Sequence, residues 1–271
     1  MIRTHMLLLA MACHVVIQAA TQAAERSMPL IVGHRGLLLH APENTLSNFR
    51  ACVELRLGFE FDVQRTKDGA MVCIHDATVD RTTDGSGQVA NLTLAEIRQL
   101  DAGGRFDPKF AGEKVPTVEE VLMLVAEQKQ QDILIAVDLK AENVEADVVL
   151  LAEKHGVLDR LLFIGRTITD PRVRQAIRRA SAKAQIAILA NNPDELRRAM
   201  SAPDADWVYL RYFPSKEEIS AVRAAGKKTF ITTASVDLPD HWHHVAAVGI
   251  DATLTDYPLD LRKVLKSPAK R

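Results

Sequence analysis

The chain alternates short apolar runs with longer amphipathic stretches from residue 30 to residue 262. This alternation is typical of a parallel sheet, because each helix returns the chain to the start of the next strand. Nine such runs favour a closed TIM-type (β/α)8 barrel, with one run outside the eight barrel strands. An open doubly wound sheet is the alternative, although no Gly-x-Gly-x-x-Gly pattern follows the first run. The predicted strands are 30–33, 59–64, 71–75, 133–139, 161–164, 185–189, 207–210, 228–232 and 252–255.

Size and composition agree with a single barrel domain. The chain has 271 residues, and a (β/α)8 domain typically needs about 250. Hydrophobic residues make up 47% and charged residues 25%, which excludes a disordered chain and a multispan membrane protein. The 34 basic and 35 acidic residues give a net charge of −1, and this balance predicts no nucleic-acid partner. Three cysteines are too few for a disulfide scaffold.

The first residues, 1–24, have the pattern of a secretory signal peptide. A weakly basic start precedes an apolar run at 6–17, and small residues follow at 19–24. The run is too short to span a membrane comfortably, so we predict no stable membrane span. The expected protein is exported, periplasmic or secreted, with its barrel domain at 25–271. An uncleaved anchor and a buried N-terminal helix are the alternatives.

One stretch, 80–116, interrupts the alternation. It carries several Gly-containing turns with a short helical pattern between them. We interpret it as a small insertion between an early strand and the next helix. Loops that follow a barrel strand lie over the active-site end of a (β/α)8 fold, so this insertion is expected near the site.

Carboxylates occur in strand-like runs at a spacing that puts them on one face. Residues i and i+2 of a strand share a face, so Glu60 and Asp62 point the same way, as do Asp138 and Lys140. A buried carboxylate pair is costly unless something cationic lies between its members. Three carboxylates with waters suit a hard divalent cation such as Ca²⁺ or Mg²⁺. Salt bridges to Arg35 and Lys140, without a metal, are the alternative.

Two histidines end neighbouring or near-neighbouring strands. His34 follows the first strand and His75 ends the third, so the two imidazoles can flank one substrate as general acid and general base. Arg35 offers a bidentate fork and Lys140 a point charge, and both suit a phosphate. A metal, two cations and two histidines around one cavity indicate phosphoryl transfer.

At this point the ordered motifs resemble those of the glycerophosphodiester phosphodiesterase family. The similarity covers residues 30–262 and is sharpest in the first third. It implies a TIM-type barrel, hydrolysis of glycerophosphodiesters to glycerol 3-phosphate and an alcohol, and one divalent cation, commonly Ca²⁺ or Mg²⁺. The matching runs are His34-Arg35-Gly36, Pro42-Glu43-Asn44-Thr45, Glu60-x-Asp62-Val63, Thr66-Lys67-Asp68-Gly69, His75-Asp76, Arg81-Thr82-Thr83 and Leu254-Thr255-Asp256-Tyr257-Pro258.

The resemblance implies a role for each site residue at its matching position. His34 and His75 resemble the acid/base pair of the family. Arg35 resembles its phosphate contact, and Lys140 is expected to bind substrate as well. The implied metal ligands are Glu60, Asp62, Asp138 and Glu43, which stands where the family has a glutamate near the metal.

Two departures from the family pattern are visible. The third metal ligand is usually a glutamate in a Glu-x-Lys pair, and here it is Asp138, which is one methylene shorter. The penultimate strand of the family usually ends in Trp-Thr-x-Asn, whereas this chain has Thr232-Thr233-Ala234-Ser235. An aromatic wall of the substrate pocket is therefore missing, and Tyr209, Tyr212 and Trp242 are candidates to replace it.

The leading hypothesis is an exported, metal-dependent phosphodiesterase with a small-molecule glycerophosphodiester as substrate. One alternative is a related barrel lyase that acts on lysophospholipids or sphingolipids and forms a cyclic phosphate. Another is a protein that binds phosphodiesters without turnover. The sequence predicts neither the alcohol group of the substrate nor the oligomeric state.

Overall fold

The computed structural model describes residues 28–128, 132–232, 235 and 237–267. The predicted signal peptide at 1–24 lies outside these residues, as do Thr233 and Ala234 of the altered motif. Among the described helices, none is both long enough and apolar enough to cross a membrane.

Within the described residues, nine strands form one sheet. They are β1 (Leu30–Gly33), β2 (Gly58–Arg65), β3 (Met71–Cys73), β4 (Ile135–Leu139), β5 (Leu161–Ile164), β6 (Gln185–Ala190), β7 (Trp207–Leu210), β8 (Lys228–Ile231) and β9 (Ala252–Thr255).

Eight of these strands close into a barrel. The eight are parallel and follow the order β1-β9-β8-β7-β6-β5-β4-β2, and β2 pairs with β1 to complete the ring. β3 runs antiparallel to the last residues of β2 and is not part of the ring. The predicted barrel with one additional strand is confirmed.

Helices connect the strands, and local sequence signals start several of them. Thr93 and Thr117 each form a capping box with the glutamate three residues later, as the sequence predicts, and Ser215 forms a third. The helices are α1 (Leu46–Glu54), α2 (Leu94–Ile97), α3 (Val118–Glu127), α4 (Glu145–Lys154), α5 (Pro171–Ala180), α6 (Pro193–Met200), α7 (Lys216–Ala224), α8 (Pro239–Val248) and α9 (Pro258–Lys266).

The outer face of β2 packs against the helices, and its inner face carries the acidic residues. Phe59 and Phe61 face outward, where Phe59 stacks on Phe49 of α1 with ring centroids 4.3 Å apart. Glu60 and Asp62 alternate with them and are therefore on the barrel side. The outer aromatic cluster fixes the register of β2, because a one-residue slip would move both carboxylates into the helix layer.

β2 extends above the barrel rim, and β3 folds back along this extension. Val63 pairs with Cys73, so the continued register brings His75 back toward Phe61 at the rim. Segment 80–116 then leads from the end of β3 to α3. It packs α2 and two 3-10 turns over an apolar cluster of Val72, Ile74, Val79, Val89, Ile97, Ala102 and Val115.

Candidate active site

Three carboxylates meet at the carboxyl ends of β2 and β4. Asp62 and Asp138 are direct partners in the β2–β4 ladder, and Glu60 lies two residues before Asp62 on the same face. One oxygen from each of the three lies within 4.8 Å of the others. The sequence-predicted acidic cluster is therefore assembled at the active-site end of the barrel.

This cluster is short of positive charge. Burial, followed by the charges of Asp62 and Asp138, raises the pKa of Glu60 well above its ordinary value. Burial also raises the pKa of Asp138, although Lys140 Nζ is 2.5 Å from its Oδ2. The Oδ1 of Asp62 is buried without a hydrogen bond, and Lys140 Nζ lies 3.2 Å from it. A buried acceptor among three acids fits a divalent cation, and the donor set is that of Ca²⁺ or Mg²⁺.

Gly165 makes room for one of these carboxylates. Its φ is +100°, in the left-handed region that residues with a side chain rarely adopt. A Cβ at this position would lie 1.9 Å from Oδ1 of Asp138. The glycine at the end of β5 therefore allows the Asp138 carboxylate to reach the cluster.

His34 lies at the top of β1 and is oriented by an acid from the next strand of the barrel. β1 pairs with β9, and Gly33 is opposite Thr255. This pairing brings Asp256 Oδ1 to 2.7 Å from Nδ1 of His34. In the described part of the chain, Nε2 of His34 has no protein partner, which leaves that nitrogen for substrate.

His75 is held in the same way by the residue that follows it. Its Nδ1 is 2.8 Å from Oδ1 of Asp76, and Asp76 Oδ2 accepts a 2.7 Å hydrogen bond from Nε of Arg81. The Arg81 hydrogen bond holds the pKa of Asp76 far below its usual range. Because β3 pairs with β2 in the register Val63 with Cys73, His75 follows β3 beside the strand that carries two of the clustered acids.

Arg81 also joins the His75 side of the site to Arg35. Its guanidinium donates to both oxygens of Glu43, at 2.7 and 2.9 Å, and Arg35 Nη1 donates to Glu43 at 3.0 Å. Burial would raise the pKa of Glu43, but the bonds and charges of Arg81 and Arg35 lower it. Glu43 is not one of the three clustered acids, so its carboxylate serves two arginines in this structure.

A strained turn after β1 fixes the Arg35 backbone. Arg35 has a φ of +52°, which is uncommon for a residue with a side chain, and its amide donates to Glu60 Oε2 at 2.9 Å. The buried Asn48 accepts from Leu37 and donates to carbonyls of this loop. Asn44 donates to Asp62 Oδ2 at 2.8 Å and accepts from the Asp62 amide. The loop thus holds Arg35 against the carboxylates.

A comparison with known proteins agrees with this geometry. A sequence model of the glycerophosphoryl diester phosphodiesterase family matches residues 34–260, which is most of the chain. The chain belongs to this family. The expected resemblance is confirmed, and the protein is an enzyme of the phosphodiesterase class rather than a binding protein.

Relatives of the phosphodiesterase cover nearly its whole barrel. The glycerophosphodiester phosphodiesterase of Caldanaerobacter subterraneus subsp. tengcongensis is 32% identical over 250 residues, 88% of this chain and 98% of that protein. The solved glycerophosphodiester phosphodiesterase from Agrobacterium tumefaciens has a TM-score of 0.74 at 25% identity and covers 89% of this chain and 100% of that one. An Oleispira antarctica phosphodiesterase, solved in complex with the product sn-glycerol-3-phosphate, has a TM-score of 0.72 at 25% identity. The match covers 89% of this chain and 98% of that one.

The phosphodiesterase has a cavity of about 380 Å³ above the carboxylates. His34 and Lys140 line it. Tyr209, one of the three candidates to replace the missing aromatic wall, lines it as well. Tyr212 instead donates to Glu218, and Trp242 packs against Tyr257. Thr232 of the altered motif also lines the cavity, together with Gly165, Arg166 and Arg211, which the sequence analysis did not single out.

Proposed function

We propose that this phosphodiesterase hydrolyses glycerophosphodiesters to glycerol 3-phosphate and an alcohol by histidine acid/base catalysis beside one divalent cation. The observation that carries the proposal is the pairing of each histidine with its own carboxylate. His34 is bound to Asp256 and lines the cavity above the acidic cluster, and His75 is bound to Asp76 and follows β3, which pairs with β2. The Oleispira antarctica phosphodiesterase, whose structure holds sn-glycerol-3-phosphate, supports the same product.

Glu60, Asp62 and Asp138 are the residues that would hold the cation, Ca²⁺ or Mg²⁺. When bound, such an ion supplies positive charge that stabilises the negative charge of the reacting phosphate. Glu43 as a further ligand stays a prediction, and it would require the carboxylate to leave Arg35 or Arg81.

Arg35 and Lys140 are suited to hold the phosphate. Arg35 Nε is buried without a hydrogen bond and lies 3.7 Å from Asp62 Oδ2, which keeps the guanidinium beside the acidic cluster where the phosphate would bind. Lys140 lines the cavity and adds a positive charge that is held between Asp62 and Asp138. Both groups favour a dianionic transition state over the monoanionic diester, which is how charge complementarity accelerates the reaction.

The histidines move the protons through Nε2, because Nδ1 of each ring is bound to a carboxylate. One Nε2 takes a proton from the nucleophile, either a water or the glycerol 2-hydroxyl. If the 2-hydroxyl attacks, the cyclic phosphate that forms is then opened by a water to give glycerol 3-phosphate. The other gives a proton to the leaving alkoxide. Asp256 and Asp76 keep the rings in one tautomer and stabilise the imidazolium that forms.

A direct assay tests this proposal. The purified protein is stripped with chelator and incubated with glycerophosphocholine and glycerophosphoethanolamine, with Ca²⁺, Mg²⁺ or neither, and glycerol 3-phosphate is counted. We expect release only with a cation, and a loss of about 100-fold or more in His34→Ala and in His75→Ala. Metal-independent release would contradict the cation, and a cyclic phosphate as the end product would favour the lyase.

We further propose that the protein is exported after removal of residues 1–24. The support is the three-part pattern of that segment. Expression in a bacterial host, followed by fractionation and mass measurement of the mature chain, tests it. A full-length chain in the cytoplasm would contradict export.

A further inference from the structure

Two arginines line the active-site cavity without a protein partner. Arg166 follows β5 and Arg211 follows β7, so both lie at the rim where barrel strands end. Both residues are exposed. Across the described ranges, neither guanidinium has a hydrogen bond or an ion pair with the protein.

The other cations of the site lie against its carboxylates, beside the proposed cation. Arg35 and Arg81 share the carboxylate of Glu43, and Lys140 is held by Asp138. The reacting phosphate is also supplied with positive charge by Arg35, Lys140 and the proposed cation. Arg166 and Arg211 are therefore additional to what one phosphodiester requires. Guanidinium forks without a partner in a cavity are the groups that bind a second phosphate or carboxylate.

The same wall is unfavourable to a cationic alcohol. Quaternary ammonium groups are bound by aromatic faces or by free carboxylates. Among the described lining residues, the acids are Glu60 and Asp138 of the cation site, and the aromatic residue is Tyr209. Tyr209 is buried and its hydroxyl is hydrogen-bonded with Thr232 at 3.2 Å. A choline group would therefore meet two positive charges and little compensation.

The cavity has room for a large alcohol beside Arg166. A groove of about 490 Å³ runs between the start of α4 and α5, and its further charged lining is mixed, with Arg172 and Arg179 beside Glu142, Glu145 and Asp170. Asp170 is paired with Arg172. It shares Leu139, Arg166 and Thr167 with the active-site cavity. Arg166 thus lies where the cavity and the groove join. The alcohol part of a substrate that extends from the reacting phosphate toward the groove would lie beside the guanidinium of Arg166.

From these observations we infer that the enzyme prefers glycerophosphodiesters whose alcohol carries its own anionic group, bound by Arg166 and Arg211. The inference rests on the proposed glycerophosphodiester hydrolysis and names the class of its substrate. A phosphate monoester on the alcohol, or a second phosphodiester, would supply this anionic group.

The test uses two substrates that differ by one phosphate, glycerophosphoinositol and glycerophosphoinositol 4-phosphate. We expect kcat/KM to be about tenfold or more higher for the phosphorylated substrate, since charge-assisted hydrogen bonds to one phosphate contribute that much. Arg166→Gln and Arg211→Gln should each lower this ratio, and the double variant should bring it close to one. Arg198→Gln, on the exposed side of α6, is the matched control and should keep the wild-type ratio.

The outcomes separate the two proposals. No hydrolysis of either substrate by folded, cation-loaded protein would overturn the proposed function. Hydrolysis of both with a wild-type ratio near one would overturn only the anionic preference. A high ratio that survives the double variant would remove Arg166 and Arg211 as its cause. Equal losses on both substrates would mean that these arginines bind the reacting phosphate instead.

Discussion

Asp256 lies 2.7 Å from Nδ1 of His34, although 222 positions separate the two residues in the chain. The contact exists because β1 and β9 are neighbours in the barrel. An acid in this position fixes the tautomer of the imidazole and stabilises its charged form.

Asp256→Asn should therefore lower kcat by about 100-fold while KM changes little. The asparagine keeps the shape of the side chain but not its charge. Steady-state kinetics at fixed cation concentration measure this. Asp260→Asn, on the exposed side of α9, is the control and should behave as the wild type. A loss confined to KM would argue that Asp256 does not act through His34.

Arg81 should act through both residues that it touches. Arg81→Gln removes the link between Asp76 and Glu43, so we expect kcat/KM to fall about tenfold. Arg81→Lys should recover only part of this, because a lysine cannot form the same forks. Arg50→Gln removes an exposed ion pair with Glu127 and serves as the control.

A double-mutant cycle checks that Arg81 and Asp76 belong to one network. If Arg81 positions His75 through Asp76, the losses in Arg81→Gln and Asp76→Asn should not add in the combined variant. Additive losses would show that the two side chains act independently.

Gly165→Ala should weaken cation binding. The new methyl group would collide with Asp138, so the half-saturating cation concentration should rise about tenfold or more. Gly156→Ala is a matched control, because Gly156 also has a positive φ, +67°, but has open space where the Cβ would lie. Isothermal titration of the stripped proteins with Ca²⁺ and Mg²⁺ measures the change. Equal affinities for both variants would contradict a role of Asp138 in the site.

The lowered pKa of Asp76 predicts a pH-dependent contribution to stability. A carboxyl whose pKa is lower in the folded state stabilises the fold above its unfolded pKa, near 3.8, and loses that contribution as the pH falls further. The free energy of unfolding of the wild type should exceed that of Asp76→Asn by a constant amount from about pH 5 to 7. The difference should shrink below about pH 4 in urea titrations. A difference that grows on acidification would contradict the sign.

Much of the fold follows from local patterns in the sequence. Alternating apolar and amphipathic stretches predict the barrel, and the Thr93 and Thr117 capping boxes predict two helix starts. The bounds are less certain from sequence, because an apolar run does not show where hydrogen-bonded pairing stops. The predicted strands at 133–139 and 71–75 pair only over Ile135–Leu139 and Met71–Cys73.

Some residues of the site also follow from local sequence patterns, and others do not. Glu60 and Asp62 follow from the two-residue period of a strand, which is a local rule. The partnership of His34 with Asp256 depends on barrel closure, which no local pattern encodes. Arg166 and Arg211 resemble ordinary surface arginines in the sequence, and only the cavity reveals their position. Arg174 is the converse case. The arginines at 172, 174, 178 and 179 predict a solvated helix face, yet Arg174 is buried and donates to Asp204.

The pairing of β1 with β9 also ties activity to the completion of synthesis. A nascent chain that has emerged through residue 250 already contains both histidines and all three clustered acids. It still lacks β9 and Asp256, so the ring is open and His34 has no orienting acid. Under the proposed mechanism, hydrolysis therefore requires that β9 has been synthesised and has paired with β1.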